Sequence, residues 1–194
     1  MQPTKPDPRD TLPGAYGEEE AQLLRRIALQ DRHAFETLYR TYYRRLARFL
    51  DRLTHRPQMI DEILDDTMLV VWRKAATFNG HSQVSTWIFA IAYRKAMKAL
   101  KREGNRTQIS FDHDEPLCAP SPETAFIDGE FRSTIRRLVA GLSAEQRAVV
   151  ELTYYHGCAY KEIADIVGCP VDTVKTRMFH ARRKLKNALR GQQE

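Results

Sequence analysis

The sequence predicts an all-α protein made of two small helical domains joined by a flexible linker. Three observations predict it. Apolar residues recur at steps of three and four along most of the chain, and nowhere alternate at period two for long enough to make a sheet. Residues 104–126, GNRTQISFDHDEPLCAPSPETAF, hold three prolines and no apolar stripe, so they read as a linker. Charge divides at the same places: Lys and Arg number 16 against 9 Asp and Glu over 20–103, 1 against 4 over 104–126, and 12 against 8 over 127–194.

Taken in order, residues 1–19 are rich in Pro and polar side chains and lack the apolar segment of a secretion signal. They read as a disordered tail, and the protein is expected in the cytoplasm. The longest apolar run, Met68 to Trp72, is far shorter than the roughly 20 residues that cross a bilayer. No membrane insertion is expected. From Glu18 to Thr54 the series Leu23, Leu24, Ile27, then Phe35, Leu38, Tyr42, Leu46, Phe49 and Leu53 marks amphipathic helices, and a break at His55 to Pro57 ends them. A second periodic segment runs from Asp61 to Phe78, closed by a polar loop to Gln83. Ser85 and Thr86 are expected to cap a helix reaching about Glu103. The first domain therefore spans 20–103 and the second, also helical, 127–194.

The second domain contains YKEIADIVGCPVDTVKTR, from Tyr160 to Arg177, in which Gly168, Cys169 and Pro170 interrupt two helical segments. A proline inside a helix costs about 3 kcal/mol, so the interruption reads as a turn between two helices. Gly168 suits the left-handed residue that ends the first, and Pro170 suits the first turn of the next. Ala164 permits close approach, and Ile163, Val167, Val171, Val174, Met178 and Leu185 supply a shared apolar core. The second of these helices is strongly basic, with no acidic residue between Asp172 and Glu194. Small residue, glycine turn, apolar anchor and basic second helix together describe a helix-turn-helix unit suited to DNA. A solvated basic face is the plain alternative.

The three cysteines, Cys118, Cys158 and Cys169, form no CxxC pair and leave an odd count, so they are expected as reduced thiols. Asp61, Glu62, Asp65 and Asp66 place four carboxylates in six residues. No histidine or second acidic cluster completes a metal cage, and neither metal nor cofactor is expected. No nucleophile or paired metal carboxylates stand near the basic helices, which argues against an enzyme.

Two longer stretches carry a resemblance. EILDDTMLVVWRKAATF, from Glu62, followed by STWIFAIAYRKAMKAL, from Ser85, resembles regions 2.2 to 2.4 of bacterial sigma factors. GLSAEQRAVVELTYYHGCAYKEIADIVGCPVDTVKTRMFHARRKL, from Gly141, resembles regions 4.1 and 4.2. With so short a linker between them, the pattern is similar to the extracytoplasmic-function (ECF, group IV) branch of the sigma-70 family. The resemblance implies a sigma region 2 bundle and a sigma region 4 helix-turn-helix, and a non-enzymatic factor that brings core RNA polymerase to promoters, restrained by an anti-sigma factor. A helix-turn-helix regulator acting without core polymerase is the alternative.

It also implies roles for residues. Asp61, Glu62, Asp65 and Asp66 match the acidic helix that docks on the beta-prime clamp helices of the polymerase. Asn79, His81, Ser82, Gln83 and Ser85 match the loop that holds a flipped base of the minus-10 element, and Arg94, Lys95, Lys98 and Lys101 match the phosphate-facing helix after it. Trp87 is either a wedge at a base step or a core residue; primary sigma factors place two adjacent Trp where this chain has Trp87 and Ile88. Thr173, Lys175, Thr176, Arg177, Phe179, His180 and Arg183 match the helix that reads the minus-35 element. Phe179 is either a base contact or core, and His180 stands where relatives often carry Arg.

If 104–126 joins two independently folded domains, limited proteolysis of the free protein is expected to cut there first and release two protease-resistant fragments. A linker as resistant as the helices would remove that boundary.

Overall fold

The computed structural model describes residues 13–104 and 137–190. Its named helices are α1 (Pro13–Ala28), α2 (Arg32–Thr54), α3 (Ile60–Lys74), α4 (Val84–Gly104), α5 (Ala144–Tyr154), α6 (Tyr160–Val167) and α7 (Val171–Arg190). Residues 137–140 are also helical, and the described residues contain no strand. The expected tail and nearly all of the expected linker lie outside the described residues.

Helices α1 to α4 form the first unit, with α2 at its centre in contact with the other three. The apolar stripe that predicts a helix over 18–54 is interrupted by a tight turn. Gln30 takes a left-handed φ of 65°, and the Asp31 carboxylate caps α2 by accepting from the backbone N–H groups of His33 and Ala34. At the far end His55 is left-handed at φ 50°, and its N–H bonds the Asp51 carbonyl. Leu38, Tyr42, Leu46, Phe49 and Leu53 of α2 are wholly buried against Met68 and Val71 of α3 and Ile88 and Phe89 of α4. Spacings of three and four place those α2 residues on one face, as the sequence requires.

The start of α4 differs from the expectation. Its first residue is Val84, and the Trp87 N–H bonds the Gln83 carbonyl at 3.1 Å, so neither Ser85 nor Thr86 is the cap. Val84 is anchored in the core, which draws the helix start ahead of both hydroxyls. Thr86 is buried in the first turn, and Ser85 Oγ donates to Gln83 Oε1.

Helices α5 to α7 form the second unit. Ser143 caps α5 in a reciprocal box with Gln146. Gly168 is left-handed, φ 68° and ψ 43°, and its N–H reaches the Ala164 carbonyl at 2.9 Å. Pro170 stands one residue ahead of α7 rather than in its first turn. Its carbonyl accepts from the N–H groups of Thr173 and Val174, and no helical bond is lost to its missing N–H. Val149, Leu152, Ile163, Ile166, Val174 and Met178 close the small core. The two units touch: α5 packs on α2, and α6 packs along α4.

No atom lies within 4 Å of a Cβ added at Gly168, so the cost of a side chain there comes from the backbone alone. Gly168→Ala is expected to lower unfolding free energy by about 1 to 2 kcal/mol in urea titrations, and Gly168→Asn by less, because Asn tolerates the left-handed region. Equal losses for the two would assign Gly168 a role other than its φ.

Candidate nucleic-acid interface

Asp61, Glu62, Asp65 and Asp66 all lie exposed on α3. Two of them are held by neighbours. The Tyr39 hydroxyl of α2 donates to Asp65 Oδ1 at 3.1 Å, and Lys95 Nζ of α4 donates to Asp66 Oδ2 at 2.7 Å. Burial, then the carboxylate it touches, raises the Tyr39 phenol to about 12, so it remains a proton donor to Asp65 throughout the neutral range. Beside these carboxylates runs an aromatic strip. Phe35 meets Trp72 edge-on at 5.1 Å, Tyr39 lies 5.8 Å from Tyr43, and Tyr43 and Leu69 are markedly exposed. Negative charge on an apolar strip is the chemistry that receives a basic, amphipathic helix. Among the described residues no group of three or more His, Cys, Asp or Glu converges on a metal position.

The loop before α4 is folded on itself. Asn79 Oδ1 accepts from the His81 N–H, and Gly80 is left-handed. Asn79, His81 and Gln83 are exposed, while Ser82 and Ser85 are half-buried. Trp87 is half-buried with its ring 5.6 Å from Phe78, which places it in packing rather than free as a wedge. Phe78, the loop residues and Thr86 line one side of a cleft of about 500 Å³ whose other side is Lys161, Glu162 and Asp165 of α6. Further along α4, Arg94, Lys98 and Lys101 are exposed, and Lys95 is half-exposed in its pair with Asp66.

On α7 the buried residues Val174, Met178 and Ala181 leave the opposite face open. That face presents Lys175, Thr176, Phe179 and Arg183. Phe179 is 62% exposed, so it is not part of the core, and Arg183 lies over its ring. Lys175 Nζ pairs with Asp172 at 3.0 Å and Thr176 Oγ1 donates to the Asp172 carbonyl, both holding the start of the helix. His180 is half-buried beside Phe179, and Thr173 is half-buried at the first turn. Arg177 faces away from the open side: its guanidinium reaches Cys169 Sγ at 3.7 Å and lies beside Tyr93 of α4. Arg182 donates twice to the Tyr154 hydroxyl.

A junction between the units is the part that sequence reasoning does not find. Glu151 of α5, only 2% exposed, accepts from Arg52 Nη1 of α2 at 3.1 Å. The Arg52 guanidinium also lies 3.5 Å from the centre of the Tyr155 ring. His156 inserts between Phe49 of α2 and Phe89 of α4, at 5.8 and 4.7 Å. One local signal exists: Glu151 interrupts the buried apolar run Ala148, Val149, Val150 and Leu152, where a carboxylate requires a partner.

A four-helix unit with an acidic face, followed by a basic helix-turn-helix, defines the class, and comparison with known proteins narrows it. A family model for Sigma-70 region 2 matches residues 38–106, and one for Sigma-70 region 4 matches 132–185, together more than half of the chain. The RNA polymerase sigma-H factor of Pseudomonas aeruginosa is 29% identical over 182 residues, covering 89% of this chain and 94% of that protein. The ECF RNA polymerase sigma-E factor of Haemophilus influenzae is 26% identical over 177 residues, covering 86% and 93%. In fold the chain is similar to the co-crystal structure of the sigma factor RpoE in complex with the anti-sigma factor NepR from Bartonella quintana, with a TM-score of 0.67 and 23% identity over 80% of this chain and 96% of that one. The chain belongs to the sigma-70 family, as a sigma factor of the ECF group.

Burial first, then the cations Arg45 and Arg52 of α2, lower His156 from its ordinary 6.5 to about 4. A depressed histidine favours the arrangement that buries it only while neutral. That contribution is full above about pH 6.5 and is lost as pH falls toward 4. Glu151, raised by burial against the pull of Arg52, acts in the opposite sense, because proton uptake relieves a buried charge. The His156 imidazole is therefore expected to titrate near 4 in the intact chain by NMR, and His156→Phe to abolish the loosening of the junction on going from pH 7 to 5. An ordinary midpoint near 6.5 would place His156 in solvent.

Proposed function

We propose that this sigma factor binds core RNA polymerase through the acidic and aromatic face of α2 and α3 and directs it to promoters, reading the minus-10 element with the 79–85 loop and α4, and the minus-35 element with α7. The observation that carries the reading is the separation of charge by element. Carboxylates and aromatic rings occupy α2 and α3, whereas cations crowd α4 and α7, so a basic protein surface and a DNA duplex are held at once. The protein has no reaction of its own to catalyse and works in the cytoplasm, where polymerase and promoters are. Among the described residues no helix is long and apolar enough to cross a membrane. An anti-sigma factor is the expected restraint, as RpoE is held by NepR in the structure of similar fold.

The deciding experiment is runoff transcription with purified core polymerase, since only a sigma factor converts core into a promoter-specific initiator. Asp65→Lys is expected to weaken core binding by about tenfold or more while far-ultraviolet dichroism stays unchanged, because it reverses a charge that Tyr39 orients on the docking face. Unchanged affinity would remove Asp65 from the interface. On α7, Lys175 stands near the end that enters the major groove and Arg183 two turns later. Lys175→Ala is expected to change the ranking of minus-35 sequences, at about 1 to 3 kcal/mol for a good base contact. Arg183→Ala is expected to weaken all promoters alike and to lower the salt slope by about one phosphate contact. A promoter library scored at two salt concentrations separates them, and the reverse pattern would mean that another face of α7 does the reading.

A further inference from the structure

The junction between the units covers the groups assigned above to DNA, and covers them from both sides. On the first unit, the base-facing loop lies across a cleft from Glu162 and Asp165 of α6, so a nucleic-acid backbone entering there meets two carboxylates and the bulk of a helix. On the second, Arg177 of α7 is turned onto Tyr93 and Cys169 instead of the open face of its helix. Neither arrangement serves a chain that is bound to DNA.

We propose that this docked arrangement is a self-restrained state of the free chain, in which each unit masks DNA-contacting groups of the other and the buried Arg52–Glu151 pair is the latch. The inference rests on the DNA-facing roles proposed above. Its physical basis is the asymmetry of the pair. Glu151 is almost completely withdrawn from water, whereas the Arg52 side chain is 37% exposed at the rim. Glu151 is ionised and buried only because Arg52 bonds it, with Tyr155 holding the guanidinium in place from its other face. Breaking a buried pair from one side leaves an uncompensated charge, which is far more damaging than removing both charges together. Undocking is the route by which such a carboxylate regains water, because the surface that covers it belongs to the other unit. Anything that draws Arg52 away therefore opens the chain. A DNA ligand that binds only the open form meets an affinity reduced by the open fraction.

The asymmetry makes a test that simple loss of packing does not imitate. In the full chain, Arg52→Ala is expected to increase the radius of gyration in small-angle X-ray scattering, with helical content unchanged. It is also expected to tighten binding of a fluorescein-labelled single-stranded oligonucleotide by the free protein on the order of tenfold. Glu151→Gln keeps the shape and removes the charge, so it is expected to stay as compact as the wild type. The double variant Arg52→Ala/Glu151→Gln is expected to close again and lose the gain in affinity. A compact Arg52→Ala chain, or a double variant as open as Arg52→Ala alone, overturns the latch. An opened chain with unchanged oligonucleotide affinity overturns the restraint. These readouts need no polymerase. Failure of wild type and Arg52→Ala alike in promoter-specific runoff transcription would remove the proposed function, while the scattering and oligonucleotide measurements still decide the latch.

Discussion

Phe49 is the side chain on which both helical units depend. Wholly buried on α2, it meets Phe89 of α4 edge-on at 5.2 Å and the His156 ring of the second unit at 5.8 Å. The first contact joins two helices of one bundle, and the second seats the turn between α5 and α6 on that bundle. Arg45 and Arg52 stand one turn to either side on α2, the first over the Phe89 ring and the second over Tyr155. An aromatic centre with cations at its edge gains from both burial and the ring quadrupole. It also forces His156 to remain neutral, because a proton there would face two guanidinium groups without water.

Around that centre the surfaces are sorted by sign. Every α3 carboxylate named above points outward, while the apolar residues between them, Ile63, Leu64, Thr67 and Met68, fill the core. The helical period alone produces this sorting, since residues three and four apart share a face. The same period on α7 sends Val174, Met178 and Ala181 inward and leaves a basic outer face. Rigid elements thus carry both charged surfaces, which fixes their geometry more tightly than loops would.

Much of this was legible in the residue order, and what was not has a common physical origin. The glycine turn was legible because a left-handed residue is a local demand, and Gly168 is left-handed, with the helices on either side where the apolar spacing puts them. The break at Gln30 and Asp31 was half legible: the stripe changes phase there, but Gln is not a residue that announces a positive φ. The start of α4 was misread by one residue because hydroxyls are good caps in isolation, and the burial of Val84 outweighs them. Tyr39 on Asp65, Lys95 on Asp66 and above all Arg52 on Glu151 were out of reach. The last joins residues 99 positions apart, and no periodicity carries information over that distance. Glu151 amid apolar neighbours signals that a partner exists without saying which.

The Lys95–Asp66 pair spans α4 and α3, and therefore spans the helix assigned to the minus-10 element and the face assigned to polymerase. One side chain cannot serve two masters: a basic surface that draws Asp66 away leaves the Lys95 ammonium without its counter-ion, available to a phosphate. Thermodynamic linkage then requires reciprocity, so that a phosphate holding Lys95 makes Asp66 a better acceptor for that basic surface by the same factor. Both groups are partly solvated, and such pairs are worth about 0 to 1 kcal/mol, so the factor is at most about five. A few-fold cooperativity between two ligands, written into a single exposed ion pair, is enough to bias the order in which they assemble.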